Sequence, residues 1–170
     1  CEFYNRQFKT NYLTLMPCNM YGPNDNFDIR NSHFIPGLIK KFYIANRKNI
    51  KSVEVWGSGK VKREIMHVDN LASAIFFILK KVEGKDKKIL DILKKKSHIN
   101  IGANKDYTIK QFANMIGKLF NKKINLKFNK SYPDGMPRKL LDSSIMYSMG
   151  WRPMISNKKG LKETVEWYKK

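Results

Sequence analysis

Pro17-Cys18-Asn19-Met20-Tyr21-Gly22-Pro23 follows directly on a short apolar run, Tyr12 to Met16, and this junction decides how the chain is read. A strand that ends in a Pro/Asn/Gly-rich loop is how a parallel α/β sheet delivers polar groups to the crevice at its carboxyl edge. The loop continues through Asn24-Asp25-Asn26-Phe27 to Asn31-Ser32-His33, after which apolar residues recur at 35, 38, 39 and 42 with lysines between them. That spacing is the period of an amphipathic helix, here Ile35 to Arg47, with His33 at its start. Tyr12 to Met16, nearly all apolar, reads as a strand buried on both sides.

Working outward, the pattern predicts alternating helices and strands. Residues 1 to 8 read as the end of a helix, and Val53 to Trp56 and Glu64 to Val68 as short extended segments. Asp69 is the expected cap of a helix from Asn70 to Lys81, its carboxylate accepting backbone N–H bonds. Residues 84 to 97 form a polar, lysine-rich connection with a partly helical middle, and His98 to Ile101 a strand that ends at Gly102. Thr108 caps a helix through Phe120, Ile124 to Phe128 is a strand, and Leu141 to Met149 a helix stopped at Gly150. Residues 157 to 168 make a last helix, amphipathic through Leu161, Val165 and Trp167 or Tyr168. Such alternation is the signature of the α/β class.

Composition excludes more than it identifies. With 28 lysines, 6 arginines, 16 asparagines and a net charge of +20, the chain invites a nucleic-acid reading, since basic surfaces release counterions from phosphate backbones. The lysines, however, are scattered through every predicted element, with no Arg-rich stripe and no interleaved aromatic platform. A basic nucleic-acid-binding domain is therefore the rival reading and not the preferred one. Cys1 and Cys18 offer neither a disulfide framework nor metal-ligand spacing, which points to a reducing compartment, by default the cytoplasm, and to no metal. No apolar run reaches the 18 residues a membrane span needs, so no membrane partner is expected.

Two further segments carry a resemblance: Trp56-Gly57-Ser58-Gly59-Lys60-Val61-Lys62-Arg63-Glu64-Ile65-Met66-His67-Val68-Asp69 and Pro133-Asp134-Gly135-Met136-Pro137-Arg138-Lys139-Leu140-Leu141-Asp142. With the Pro17–Pro23 loop and Asn31-Ser32-His33, they resemble the extended short-chain dehydrogenase/reductases that act on nucleotide sugars, and among them the GDP-L-fucose synthase family. The resemblance spans nearly the whole chain. It implies a Rossmann-like α/β fold with a smaller substrate-binding domain, NADPH as cofactor, a GDP-sugar as substrate and a homodimer. The Gly-rich dinucleotide fingerprint of that family is absent: Gly57-Ser58-Gly59 is the one G-x-G, and Lys62 stands where the third glycine would be. No Tyr is followed by Lys four residues later, and Cys1 to Phe8 resembles the tail of the helix that carries that pair. The chain is thus expected to be a carboxy-terminal fragment, inactive alone. About 1–22 and 64–102 are expected to form the last Rossmann-like elements, interleaved with substrate-binding elements at about 23–63 and 103–170.

The reaction implied is 3,5-epimerisation followed by 4-reduction of GDP-4-keto-6-deoxy-D-mannose. A C4 ketone acidifies the protons on C3 and C5, so inversion needs a base on one face and an acid on the other. A histidine, with an ordinary pKa of about 6.5, suits the acid. His33, within Asn-Ser-His, matches the family's catalytic histidine, against the plainer reading of a helix-start residue. The alternative on this scaffold is another nucleotide-sugar epimerase or dehydratase; simple 4-epimerases do not need that acid. Pro17, Asn19, Met20 and His33 match cofactor-side positions. Arg63 matches a diphosphate contact, for which a planar guanidinium is better suited than an ammonium; the plain alternative is a surface loop arginine. Lys41 stands where relatives often carry Arg, and Lys139 resembles a substrate contact. Trp56 fits either the substrate pocket or core packing. Cys18 reads as a small buried thiol and not as the base.

Overall fold

The predicted alternation is present in the computed structural model, which describes residues 1–96, 98–120 and 123–170. The first half runs α1 (Glu2–Phe8), β1 (Thr14–Pro17), β2 (Asn19–Tyr21), α2 (Phe34–Arg47), β3 (Ser52–Trp56), β4 (Lys62–His67) and α3 (Val68–Glu83). The second runs α4 (Lys87–Lys95), β5 (His98–Ile101), β6 (Asp106–Thr108), α5 (Ile109–Gly117), β7 (Asn125–Asn129), β8 (Arg138–Lys139), α6 (Ser144–Ser148) and α7 (Asn157–Lys169). The fold is α/β, with parallel pairing of β1 with β5, β2 with β4, and β3 with β7.

Strand β4 ties the architecture together. Ile65, Met66 and His67 pair with Asn19, Met20 and Tyr21 of β2, whereas Lys62 to Glu64 pair antiparallel with β6. Lys62 and Arg63 also pair in parallel with Arg138 and Lys139 of β8. Successive side chains on a strand point to opposite faces. Ile65 therefore enters one hydrophobic cluster, with Tyr21, Ile39, Phe42, Phe112 and Leu161. Met66 enters another, with Cys18, Ile78, Ile99, Met146 and Trp151. Burying each large apolar side chain contributes about 1.5–3 kcal/mol, so a shift of β4 by one residue would forfeit both clusters at once.

Local chemistry explains the helices. The buried residues of α2 include Ile35, Leu38, Ile39 and Phe42, the predicted apolar stripe. Thr108 and Gln111 close a capping box at the start of α5, each side chain bonding the other's backbone N–H. Ser156 caps α7, whose Leu161 and Val165 are buried while Tyr168 stacks on Phe27 at 4.3 Å.

Several expectations are corrected. The 17–23 segment is not all loop: Cys18 N–H donates to Ile101 O, and past that bond the chain leaves β5 and pairs with β4 as β2. β1 is not buried on both faces: Thr14 and Pro17 are exposed and Met16 remains 48% exposed. Asp69 is not the cap of α3. That helix starts at Val68, and the capping group is the buried imidazole of His67, whose Nδ1 accepts the Asp69 N–H at 3.3 Å. Asp69 sits in the first turn, where its charge faces the positive end of the helix dipole. The connection at 84–97 does have the expected helical middle, α4, capped by Asp86 with Ile89 buried; its last residue, Ser97, lies outside the described residues. α5 ends at Gly117, short of Phe120, and α6 covers only Ser144–Ser148 because Asp142 instead accepts the Ser144 N–H in a turn.

Helix α7 approaches this framework through Gly160. A Cβ there would stand 2.5 Å from Tyr21 Oη and 2.9 Å from His67 Cδ2. Gly160→Ala is expected to destabilise the protein by about 1–3 kcal/mol, the usual cost of overpacking. Urea unfolding should show a lower midpoint at unchanged slope.

Candidate functional site

The site is built around the start of α2. Asp28 organises the preceding turn, its carboxylate accepting the Arg30 N–H and its carbonyl accepting from Asn31 and Ser32. The turn delivers His33 to the helix's N-cap position, where its carbonyl accepts the Gly37 N–H while the exposed side chain makes no capping bond. His33 borders two clefts. Asn19, Met20, Gly22 and Val68 line one of them with it. Lys41, Trp56, Arg63 and Asp134 line the other.

In the second cleft, β3 and β4 contribute the walls and the 133–137 loop the roof. Arg63 donates through Nη1 to Lys62 O and Met136 O and through Nη2 to Asp134 O, so its guanidinium both lines the cleft and holds the loop over it. Asp134 Oδ1 accepts the Ser58 N–H at 2.7 Å, and the Ser58 hydroxyl, this N–H and nearby Arg63 together hold its carboxyl below the usual range. A Cβ on Gly57 would collide with the same carboxylate oxygen, and with φ at +79° only glycine fits this approach without strain. Lys41 Nζ donates to Glu54 O at 3.1 Å, and burial pushes its pKa down. Trp56 is 46% exposed, which removes the core-packing alternative.

Of the residues singled out in the sequence, His33, Lys41, Trp56 and Arg63 meet in one cleft, and Asn19, Met20 and His33 in the other. Two lie apart from these walls. Pro17 ends β1 opposite Ile101, and Lys139, exposed on β8, pairs directly with Arg63 and so projects from the same face of the sheet. Cys18 is buried and, through burial and the nearby Glu64 carboxylate, its thiol is pushed up to about 12. Such a thiol stays protonated at neutral pH.

Sequence reasoning missed Glu64. Only 3% exposed, it accepts the Asn104 N–H through Oε1 at 2.8 Å and the Leu141 N–H through Oε2 at 3.0 Å. Its partners are backbone groups, which carry no side-chain signature. The one hint is its position: as the residue after Arg63 on a strand it must face inward.

The parallel α/β architecture, with a polar loop at the carboxyl end of β2 and helix α3 following β4 directly, is that of an extended short-chain dehydrogenase/reductase of Rossmann-like fold. The NAD dependent epimerase/dehydratase family matches residues 1–102, and the chain belongs to that family. It is 41% identical over 168 residues to a GDP-L-fucose synthase of Escherichia coli (strain K12), covering 99% of this chain and 52% of that protein. It is 35% identical over 169 residues to a GDP-L-colitose synthase of Yersinia pseudotuberculosis, again 99% and 52%. The structure of a GDP-mannoheptose C4 reductase from Campylobacter jejuni with NADP bound superposes with a TM-score of 0.82 at 37% identity, covering 100% of this chain and 53% of that one. The chain spans about half the length of the curated relatives it matches.

Burial raises the Glu64 pKa against the opposing pull of the backbone N–H groups. A carboxyl with a raised folded-state pKa binds its proton more tightly folded than unfolded, so its contribution to stability is greatest in acid and declines as pH rises through the window between the two values. The unfolding free energy of the protein minus that of Glu64→Gln should therefore fall as the pH rises above the ordinary glutamate pKa of about 4.3. Urea titrations at stepped pH would show it; a difference that grows with pH would mean that the N–H bonds outweigh burial.

Proposed function

We propose that this chain supplies the substrate side and the proton-donating histidine of a GDP-L-fucose synthase, converting GDP-4-keto-6-deoxy-D-mannose to GDP-L-fucose by 3,5-epimerisation and NADPH-dependent 4-reduction. The observation that carries the proposal is the position of His33 on the wall shared by the two clefts. A proton donor there reaches a sugar bound on one side while remaining beside the groups on the other. In this reading, Arg63, with Lys41 and Lys139, holds the diphosphate of the GDP-sugar. His33 Nε2 or Nδ1 protonates the carbanion at C3 or C5 on the face opposite the base that created it.

Gly22 forms the wall of the first cleft with no room for a side chain, since a Cβ would lie 2.7 Å from Val68 Cγ1, and the exposed amide of Asn19 can both donate and accept. Asn19, Met20 and His33, with Pro17 behind them, would hold the nicotinamide of NADPH, which supplies the hydride for C4. The substrate-binding elements in this proposal are about 23–63 and 103–170, and the Rossmann-like ones about 1–22 and 64–102. In this reading the protein that carries the chain works as a cytoplasmic homodimer.

His33→Asn keeps size and some hydrogen bonding but removes the titratable proton. In the intact enzyme that carries this chain, inversion should slow by roughly 10²–10⁴-fold, the usual worth of general-acid catalysis. Hydride transfer should suffer less, so sugar reduced at C4 with incomplete inversion accumulates. Solvent deuterium entering both C3 and C5 at the unmodified rate would remove His33 from the acid role. Equal loss of both activities would make it a positioning residue.

A further inference from the structure

The Trp56 indole has two ring partners. Tyr132 stacks on it, with centroids 4.4 Å apart and planes inclined by 12°. The Lys41 ammonium lies 4.6 Å from the ring centroid.

Neither partner is loose. Glu54 clasps the assembly: its carbonyl accepts from Lys41, its Oε1 from Trp56 Nε1 at 3.0 Å and its Oε2 from Asn129 Nδ2 at 3.1 Å. Asn129 Oδ1 in turn accepts the N–H of Ser131, the residue before Tyr132. This network holds the Trp56 ring beneath Tyr132.

Tyr132 can take an incoming base. One of its ring faces lies on Trp56, yet the residue is 42% exposed, so the exposure belongs to the other face and the edges. It stands at the rim of the cleft, immediately before Pro133 and Asp134, which line it, and the carbonyl of Asp134 receives Arg63. A nucleotide whose phosphates meet Arg63 leaves the cleft beside this ring.

We propose that Tyr132 is the base-stacking residue of the substrate site, the nucleobase lying on its outer face and extending the Trp56–Tyr132 stack by one ring. The proposal rests on the nucleotide-sugar reading above and adds the surface that holds the base. Stacking reads ring area and not hydrogen-bonding edges, so a purine gains more than a pyrimidine.

Calorimetry on the purified protein with GDP, UDP and inorganic pyrophosphate tests it, alongside Tyr132→Phe and Tyr132→Leu. Leucine keeps the Trp56 face covered but removes the aromatic surface. Tyr132→Leu should weaken GDP by roughly 5- to 150-fold, the range for losing one aromatic face from a stacked base. UDP should lose less, pyrophosphate should be unaffected, and Tyr132→Phe should bind GDP like the unaltered protein. Unchanged GDP affinity in Tyr132→Leu would overturn the proposal. So would equal losses for GDP and pyrophosphate, which would mean that Tyr132 acts by setting the loop above Arg63. If the unaltered protein binds neither GDP nor pyrophosphate, the nucleotide-sugar reading itself fails and the base stack falls with it.

Discussion

The buried carboxylate of Glu64 joins parts of the chain that the sequence keeps far apart. One oxygen holds the loop after β5 through Asn104, and the other holds the segment after β8 through Leu141. Hydrogen bonds to a charged group contribute about 1.5–3 kcal/mol each, and a buried carboxylate deprived of them would be strongly destabilising. Gly102 completes the arrangement, since a Cβ would stand 2.5 Å from Glu64 Oε1 and 2.8 Å from Ser143 Oγ. The register of β8 against β4, and with it the pairing of Lys139 with Arg63, depends on this anchor.

Strand alternation turns the anchor into a division of labour. Arg63 lines the cleft, Glu64 turns inward to the backbone, Ile65 packs into one cluster and Met66 into the other. A residue inserted or deleted anywhere in β4 would exchange these roles, burying a guanidinium and exposing a carboxylate. The chemistry of the cleft and the stability of the fold are therefore set by the same short strand.

The large positive charge has a structural outlet. Lys80 lies over Phe76, Lys81 over Phe77 and Lys169 over Phe120, and Lys81 also bonds Asp86. Long side chains of this kind cover apolar surface with their methylenes while the ammonium stays in water. Lys41 uses the same geometry inside the cleft, where partial burial lowers its pKa and the Trp56 face steadies it.

The α/β class, the helix behind His33, the Thr108 cap and the grouping of Lys41, Trp56 and Arg63 near one site are legible in the sequence. Periodicity and short-range capping depend only on neighbours within a few residues, and the motifs lie in continuous stretches. What tertiary structure alone decided involves partners distant along the chain. Asn19 to Tyr21 became a strand because β4 was available to pair with it. His67 displaced Asp69 as the cap because its burial aims the imidazole at the Asp69 N–H. Glu64 and Tyr132 looked ordinary in the sequence, since a backbone N–H and the face of another ring leave no trace in residue type or spacing. Only the fold brings Leu141 to Glu64 and Tyr132 to Trp56, and burial and stacking then give those side chains their roles.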